Sequence, residues 1–103
     1  MLKLYNDGTR VTAAISGDID HHAARDLREA LDAMIAVSQP ELLILDLAEV
    51  GCMDSSGIGL ILGRLKNVRE CGGNIIIKNC RSNIAAVIKL SGLAELLVEG
   101  IKP

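Results

Sequence analysis

Aromatic side chains are almost missing from this sequence: Tyr5 is the only one in 103 residues, and Phe and Trp are absent. The core must therefore be aliphatic, and a sheet that stacks unpaired bases on aromatic rings is excluded. Positive charge is not in excess either. The chain carries 11 Lys and Arg against 13 Asp and Glu, a net charge of −2, so the basic patch of a nucleic-acid binder is lacking and no nucleic-acid partner is expected. Long apolar runs are also missing. The longest uncharged one, counted with its glycines, is Gly57–Gly63, far short of the roughly 20 residues that cross a bilayer. No basic stretch followed by an apolar one opens the chain at Met1–Gly8, so no signal peptide and no membrane partner are expected, and a cytoplasmic location is. Cys52, Cys71 and Cys80 are odd in number and form no C-x-x-C pair. That pattern predicts reduced interior or turn thiols rather than a disulfide framework or a zinc site.

What remains is a chain that is 50% hydrophobic, long enough for one domain over residues 1–103 with a core needing neither disulfide nor metal. Leu2–Tyr5 and Arg10–Ile15 read as strands joined around Asn6-Asp7-Gly8, where D-G signals a hairpin. From Ala24 the apolar spacing turns helical through Leu27, Leu31, Met34 and Ile35, with Arg25/Glu29 and Arg28/Asp32 as charge pairs on the wet face, and stops before Pro40. Leu42–Leu47 is a nearly unbroken apolar run, which predicts an inner strand covered on both faces. Ser55–Glu70 repeats apolar residues every three to four positions before Cys71-Gly72-Gly73. Ile75–Ile77 is a further strand, Ser82 caps a short helix through Leu90, and an apolar segment around Leu96-Leu97-Val98 closes the chain as strand or helix. The order is that of an α/β domain: a mixed, mostly parallel sheet of four to five strands, an N-terminal β-hairpin at one edge and three to four helices. Sites in such sheets form beyond the carboxyl ends of the strands, so the loops Gly17–His22, Ala48–Asp54 and Asn79–Arg81 should share one end.

The most informative segment is Met53-Asp54-Ser55-Ser56-Gly57-Ile58-Gly59, two hydroxyls and a carboxylate where a loop becomes a helix. One of the three polar residues is needed as the N-cap, which leaves at least one hydroxyl approachable. A nucleophilic serine needs a base and usually a G-x-S-x-G elbow; the elbow is missing, although His21 and His22 sit on a neighbouring loop. Gly57, Gly59 and Gly63 miss the dinucleotide spacing by one residue, and no G-K-[ST] ending makes a phosphate loop; close packing of the helix on the sheet is the plainer reading. Asp18-Ile19-Asp20-His21-His22 contains metal-ligand types, but adjacent residues rarely close one coordination sphere, and Asp20 as an N-cap explains the pattern. Neither metal nor cofactor is expected.

Three blocks carry a resemblance. Gly17-Asp18-Ile19-Asp20-His21-His22-Ala23, the run from Met53 to Arg64, and Leu90-Ser91-Gly92-Leu93 are similar to the STAS-domain anti-sigma factor antagonists, most of all the sporulation type. The resemblance spans almost the whole chain and implies a single STAS domain that is a phosphorylation-controlled binding module, not an enzyme. It further implies that Ser55 is phosphorylated by the anti-sigma factor, itself a serine kinase, and dephosphorylated by a serine phosphatase. Only the unphosphorylated form would bind the kinase and release the sigma factor. By the same matching Asp20 lies beside the serine loop, while Asp54, Ser56 and Gly57 shape it. Cys52 stands where relatives often carry a bulky aromatic, a departure that bears on partner affinity. A small-ligand or nucleotide-sensing STAS regulatory module is the alternative that the resemblance leaves open.

Overall fold

In the computed structural model, which describes residues 1–98, Asp7 pairs with Arg10 and the chain reverses through Gly8 and Thr9. Gly8 has φ 65°, a conformation glycine adopts without steric cost. The hairpin strands, β1 (Leu2–Asp7) and β2 (Arg10–Ser16), run further than their apolar residues indicate, because Asn6 and Asp7 still fill the ladder. Helix α1 (His21–Ser38) likewise begins a turn before its apolar stripe: Asp20 caps it, and the polar His21 and His22 occupy its first turn. It ends at Gln39, φ 42°, before Pro40.

Strand β3 (Leu42–Glu49), helix α2 (Ser55–Glu70), strand β4 (Asn74–Lys78) and helix α3 (Ser82–Leu90) complete the alternation. The sheet order is β1-β2-β3-β4, with β1 antiparallel at the edge and the other pairings parallel. The α/β class, the mixed sheet and the N-terminal hairpin are as expected from the sequence, with four strands. Ser82 is not the cap of α3. Arg81 holds that position with no side-chain bond, because the helix closes one residue earlier through Ala85 N–H to Arg81 O at 2.9 Å. The final apolar segment is helix and strand in turn: a 3₁₀ turn at Ala94–Leu96, then Leu97 bridging Ile77 in parallel. Residues 99–103 of the expected domain lie outside the described residues.

The unbroken apolar run of β3 is covered on one face only. Leu43, Leu45 and Leu47 are buried in a single core with Val11, Ile15, Ile75 and Ile77, under Leu31 and Ile35 of α1, Ile61 and Val68 of α2, and Ile84 of α3. Leu42, Ile44 and Ile76 point to the opposite face, where they are only half-buried and outside that core. The register sets Tyr5, Thr12, Ile44 and Ile76 in one row across that open face. A parallel sheet can therefore carry apolar residues on both faces while the helices cover one. Leu31 is fully buried, and its loss to alanine would cost about 2–5 kcal/mol.

Candidate functional site

The carboxyl ends of β2, β3 and β4 lead to three loops that meet at one end of the molecule. Ile19 and Met53 form a parallel bridge, supported by Ile19 N–H to Cys52 O at 3.0 Å and Asp54 N–H to Ile19 O at 3.3 Å. Helix α3, which follows the third loop, joins through Asn83 Nδ2, which donates to Gly51 O at 3.0 Å. The bridge sets where both helices begin. Asp20 comes after Ile19 and Asp54 after Met53, so the two helices start side by side, each behind an aspartate cap.

The caps are near copies in backbone geometry. Asp20 has φ −99° and ψ −172°, and its Oδ1 accepts the Ala23 N–H at 2.9 Å; Asp54 has φ −98° and ψ −170°, and its Oδ1 accepts the Ser56 N–H at 2.8 Å. Each satisfies an N–H that the helix leaves without a partner. The Ala23 N–H is the main cause holding the Asp20 carboxyl below its ordinary range; slight desolvation opposes it, and the nearby charge of His22 adds to it. Of Asp54, Ser55 and Ser56, the cap is Asp54, and both serines are spared.

Ser55 is the first residue of α2 and is exposed, and among the described residues no hydrogen bond engages its hydroxyl. Ser56 is half-buried and faces the groove between α1 and α2 together with His21. No hydrogen bond joins either serine to His21 or His22 among the described residues, so the elements of a serine hydrolase are not assembled. Nor, among the described residues, do three His, Cys, Asp or Glu side chains converge as metal ligands. Gly57 is buried over Met53 and Ile19, where a Cβ would collide with the Met53 side chain, so close approach does require glycine there. At Gly59 and Gly63 a Cβ would meet nothing within 4 Å, which corrects the reading of all three glycines as packing devices.

The arginines are not legible in the sequence as part of this region. Arg64 is buried, 6% exposed, and its Nε lies 2.8 Å from Asp32 Oδ1, an oxygen that also accepts from Asn67 Nδ2 at 2.8 Å. Asp32 is thus taken by α2, and neither Arg25/Glu29 nor Arg28/Asp32 closes as an ion pair among the described residues. The spacing holds a signal: Arg64 falls between Ile61 and Val68 on the buried stripe of α2.

Comparison with known proteins adds three findings. Residues 4–103 match the family model of the STAS domain. The anti-sigma F factor antagonist of Paenibacillus polymyxa is 34% identical over 83 residues, covering 81% of this chain and 71% of that protein. The anti-sigma factor antagonist SpoIIAA in its unphosphorylated form superposes with a TM-score of 0.87 at 27% identity, over 95% of this chain and 86% of that one; the phosphorylated Bacillus SpoIIAA does so at 0.79 and 27%, over 95% and 89%.

Proposed function

The chain belongs to the STAS domain family, and from that premise we propose that it is an anti-sigma factor antagonist switched by phosphorylation of Ser55. Like its antagonist relatives it is a regulatory binding protein rather than an enzyme. In its unphosphorylated form it binds an anti-sigma factor that is a serine kinase, so that the sigma factor is released. Phosphate on Ser55 abolishes that binding, and a serine phosphatase restores it. The exchange takes place in the cytoplasm. No helix among the described residues is long and apolar enough to cross a membrane.

One observation carries this reading: Ser55 is exposed and uncommitted at the start of α2, because Asp54 already caps the helix. A phosphate there adds about −1.5 to −2 charges. Within the free chain the added anion sits at the positive end of a helix, where it is tolerated or favoured by a few tenths of a kcal/mol. Across an interface it must be desolvated beside Asp20 and Asp54, and it repels any acidic group or nucleotide phosphate of the kinase. The fold therefore persists while binding fails. That relatives sharing this fold are solved in both unphosphorylated and phosphorylated forms supports the first half. Asp20, Asp54, Ser56 and Gly57 contribute to the docking surface by setting the height and angle of the serine.

The test is affinity for the kinase. Ser55→Asp should weaken binding about tenfold or more with little change in melting temperature, whereas Ser55→Ala should bind but accept no phosphate. Equal affinity of Ser55→Asp and the unmodified chain, or phosphate found only on Ser56, would overturn the assignment.

A further inference from the structure

One edge of the sheet is closed and the other is open. At β4 the chain returns alongside: Leu97 bridges Ile77, and the Val98 N–H donates to Ile77 O at 3.0 Å. Beyond β1 no strand follows in the sheet order, and among the described residues no side chain hydrogen-bonds to its outer edge. The pairing with β2 decides which backbone groups face outward. Met1 and Ser16 exchange both bonds, Met1 N to Ser16 O at 2.7 Å and Ser16 N to Met1 O at 2.9 Å, so by the antiparallel alternation Lys3, Tyr5 and Asp7 turn their backbone groups to β2. Leu2, Leu4 and Asn6 turn theirs away, a row of unpaired donors and acceptors that templates a further strand. Leu4 and Tyr5 are 43% and 57% exposed. A lysine ordinarily blunts such an edge, but Lys3 is matched by Asp7 near the other end of the strand, and neither closes an ion pair among the described residues.

We propose that β1 pairs antiparallel with β1 of a second copy of this chain, joining the two sheets into one. A two-fold axis relates the copies, so that where one residue faces another, the second faces the first. Only registers that set outward backbone groups opposite one another keep the ladder, and the one centred on Tyr5 also pairs the charges. Leu4 then exchanges hydrogen bonds with Asn6 of the second copy, while Lys3 faces Asp7 and Asp7 faces Lys3 across the axis. Tyr5 meets Tyr5 of the second copy at a pair without hydrogen bonds, where side chains approach most closely. Centring the pair on Leu4 or on Asn6 instead sets Tyr5 against Lys3 or against Asp7 and parts the charges. The apolar row of Tyr5, Thr12, Ile44 and Ile76 on the open face runs through the axis into the same row of the second copy. A pair of six-residue strands buries less than the roughly 1,200 Å² of a standard interface, so the dimer is weak and its population follows concentration.

The test is sedimentation of the unmodified chain from about 10 μM to about 1 mM, together with hydrogen exchange of its backbone amides. The expected result is a monomer that becomes a dimer as concentration rises, with the Leu4 and Asn6 amides gaining protection in step. Lys3→Asp and Asp7→Lys should each weaken dimerisation about tenfold or more with little change in melting temperature, because each sets like charges opposite one another. Lys3→Asp/Asp7→Lys should restore it. An equimolar mixture of the two single variants should also dimerise where neither does alone, since every pair across the axis is then opposite in sign. A merely structural role for either residue would give no such rescue. A monomer at the highest concentration overturns the proposal and leaves the edge to an extended segment of another protein. A dimer whose Leu4 and Asn6 amides exchange freely overturns it too, in favour of pairing through the open sheet face, as does dimerisation undiminished by either charge reversal.

Discussion

Replacing Gly57 by alanine sets two effects against each other, and the structure fixes which wins. In a helix interior alanine is better than glycine by about 0.5–1 kcal/mol. At Gly57 the new Cβ collides with the side chain of Met53, which is buried and closed in by Ile19 at 3.4 Å from the same position. Forcing a methyl group into a packed site costs about 1–3 kcal/mol. At Gly59, two residues along the same helix, nothing lies within 4 Å of the added carbon. Gly57 lies in the first turn of α2 and Gly59 in the second, so the propensity gain is no larger at Gly57, and the collision is isolated by removing the Met53 side chain. Gly59→Ala should stabilise by about 0.5–1 kcal/mol and Gly57→Ala should destabilise by about 1 kcal/mol, which separates their melting temperatures by roughly 5–15 °C in a domain of this size. Urea denaturation of both variants, with and without Met53→Ala, completes the cycle. Met53→Ala clears the space, so Gly57→Ala should cost nothing in that background. Equal shifts for the two glycine variants, or a Gly57→Ala penalty undiminished by Met53→Ala, would refute the packing argument.

Other perturbations probe the neighbouring groups. Asp20 has its folded pKa held below the ordinary 3.8, so its stabilisation is complete above the unfolded value and is lost as pH falls through the folded one. Asp20→Asn keeps a capping side chain, and the stability advantage of the unmodified chain over it, present at about pH 7, should shrink progressively in denaturation curves taken below pH 3.8. Asp32→Asn leaves Arg64 without its counter-charge; Asp32 is partly exposed, so the expected loss is about 1–2 kcal/mol by urea titration, and no loss would mean the pair contributes nothing. Cys80 is buried, with its thiol pushed up chiefly by desolvation, whereas Cys52 and Cys71 are exposed. A disulfide reagent should therefore modify Cys52 and Cys71 quickly in the folded protein and reach Cys80 only in denaturant.

Helix spacing and local caps are legible in the sequence, and the packing of elements distant along the chain is not. The boundaries of α2 are those its apolar repeat and its glycine stop predict. The start of α1 leaves no hydrophobic trace, because two polar histidines fill its first turn, and it is legible instead in Asp20, the N-cap that the sequence predicts. Leu42–Leu47 misleads: composition records how apolar a strand is, but whether a second layer covers it depends on where the helices pack. At the site, the aspartates and serines stand out as a local cluster at a helix start. The groove does not, since it joins Arg25 and Arg28 on α1 to Arg64 on α2, and only the packing of those helices brings them together.

The claim that Ser55 is the switch is tested most directly by intact-mass spectrometry of the chain after incubation with ATP and the anti-sigma kinase proposed as its partner, beside Ser55→Ala. The expected result is a single phosphate increment on the unmodified chain and none on the variant. An increment that persists in Ser55→Ala, or no increment from a kinase active on a control substrate, would contradict it.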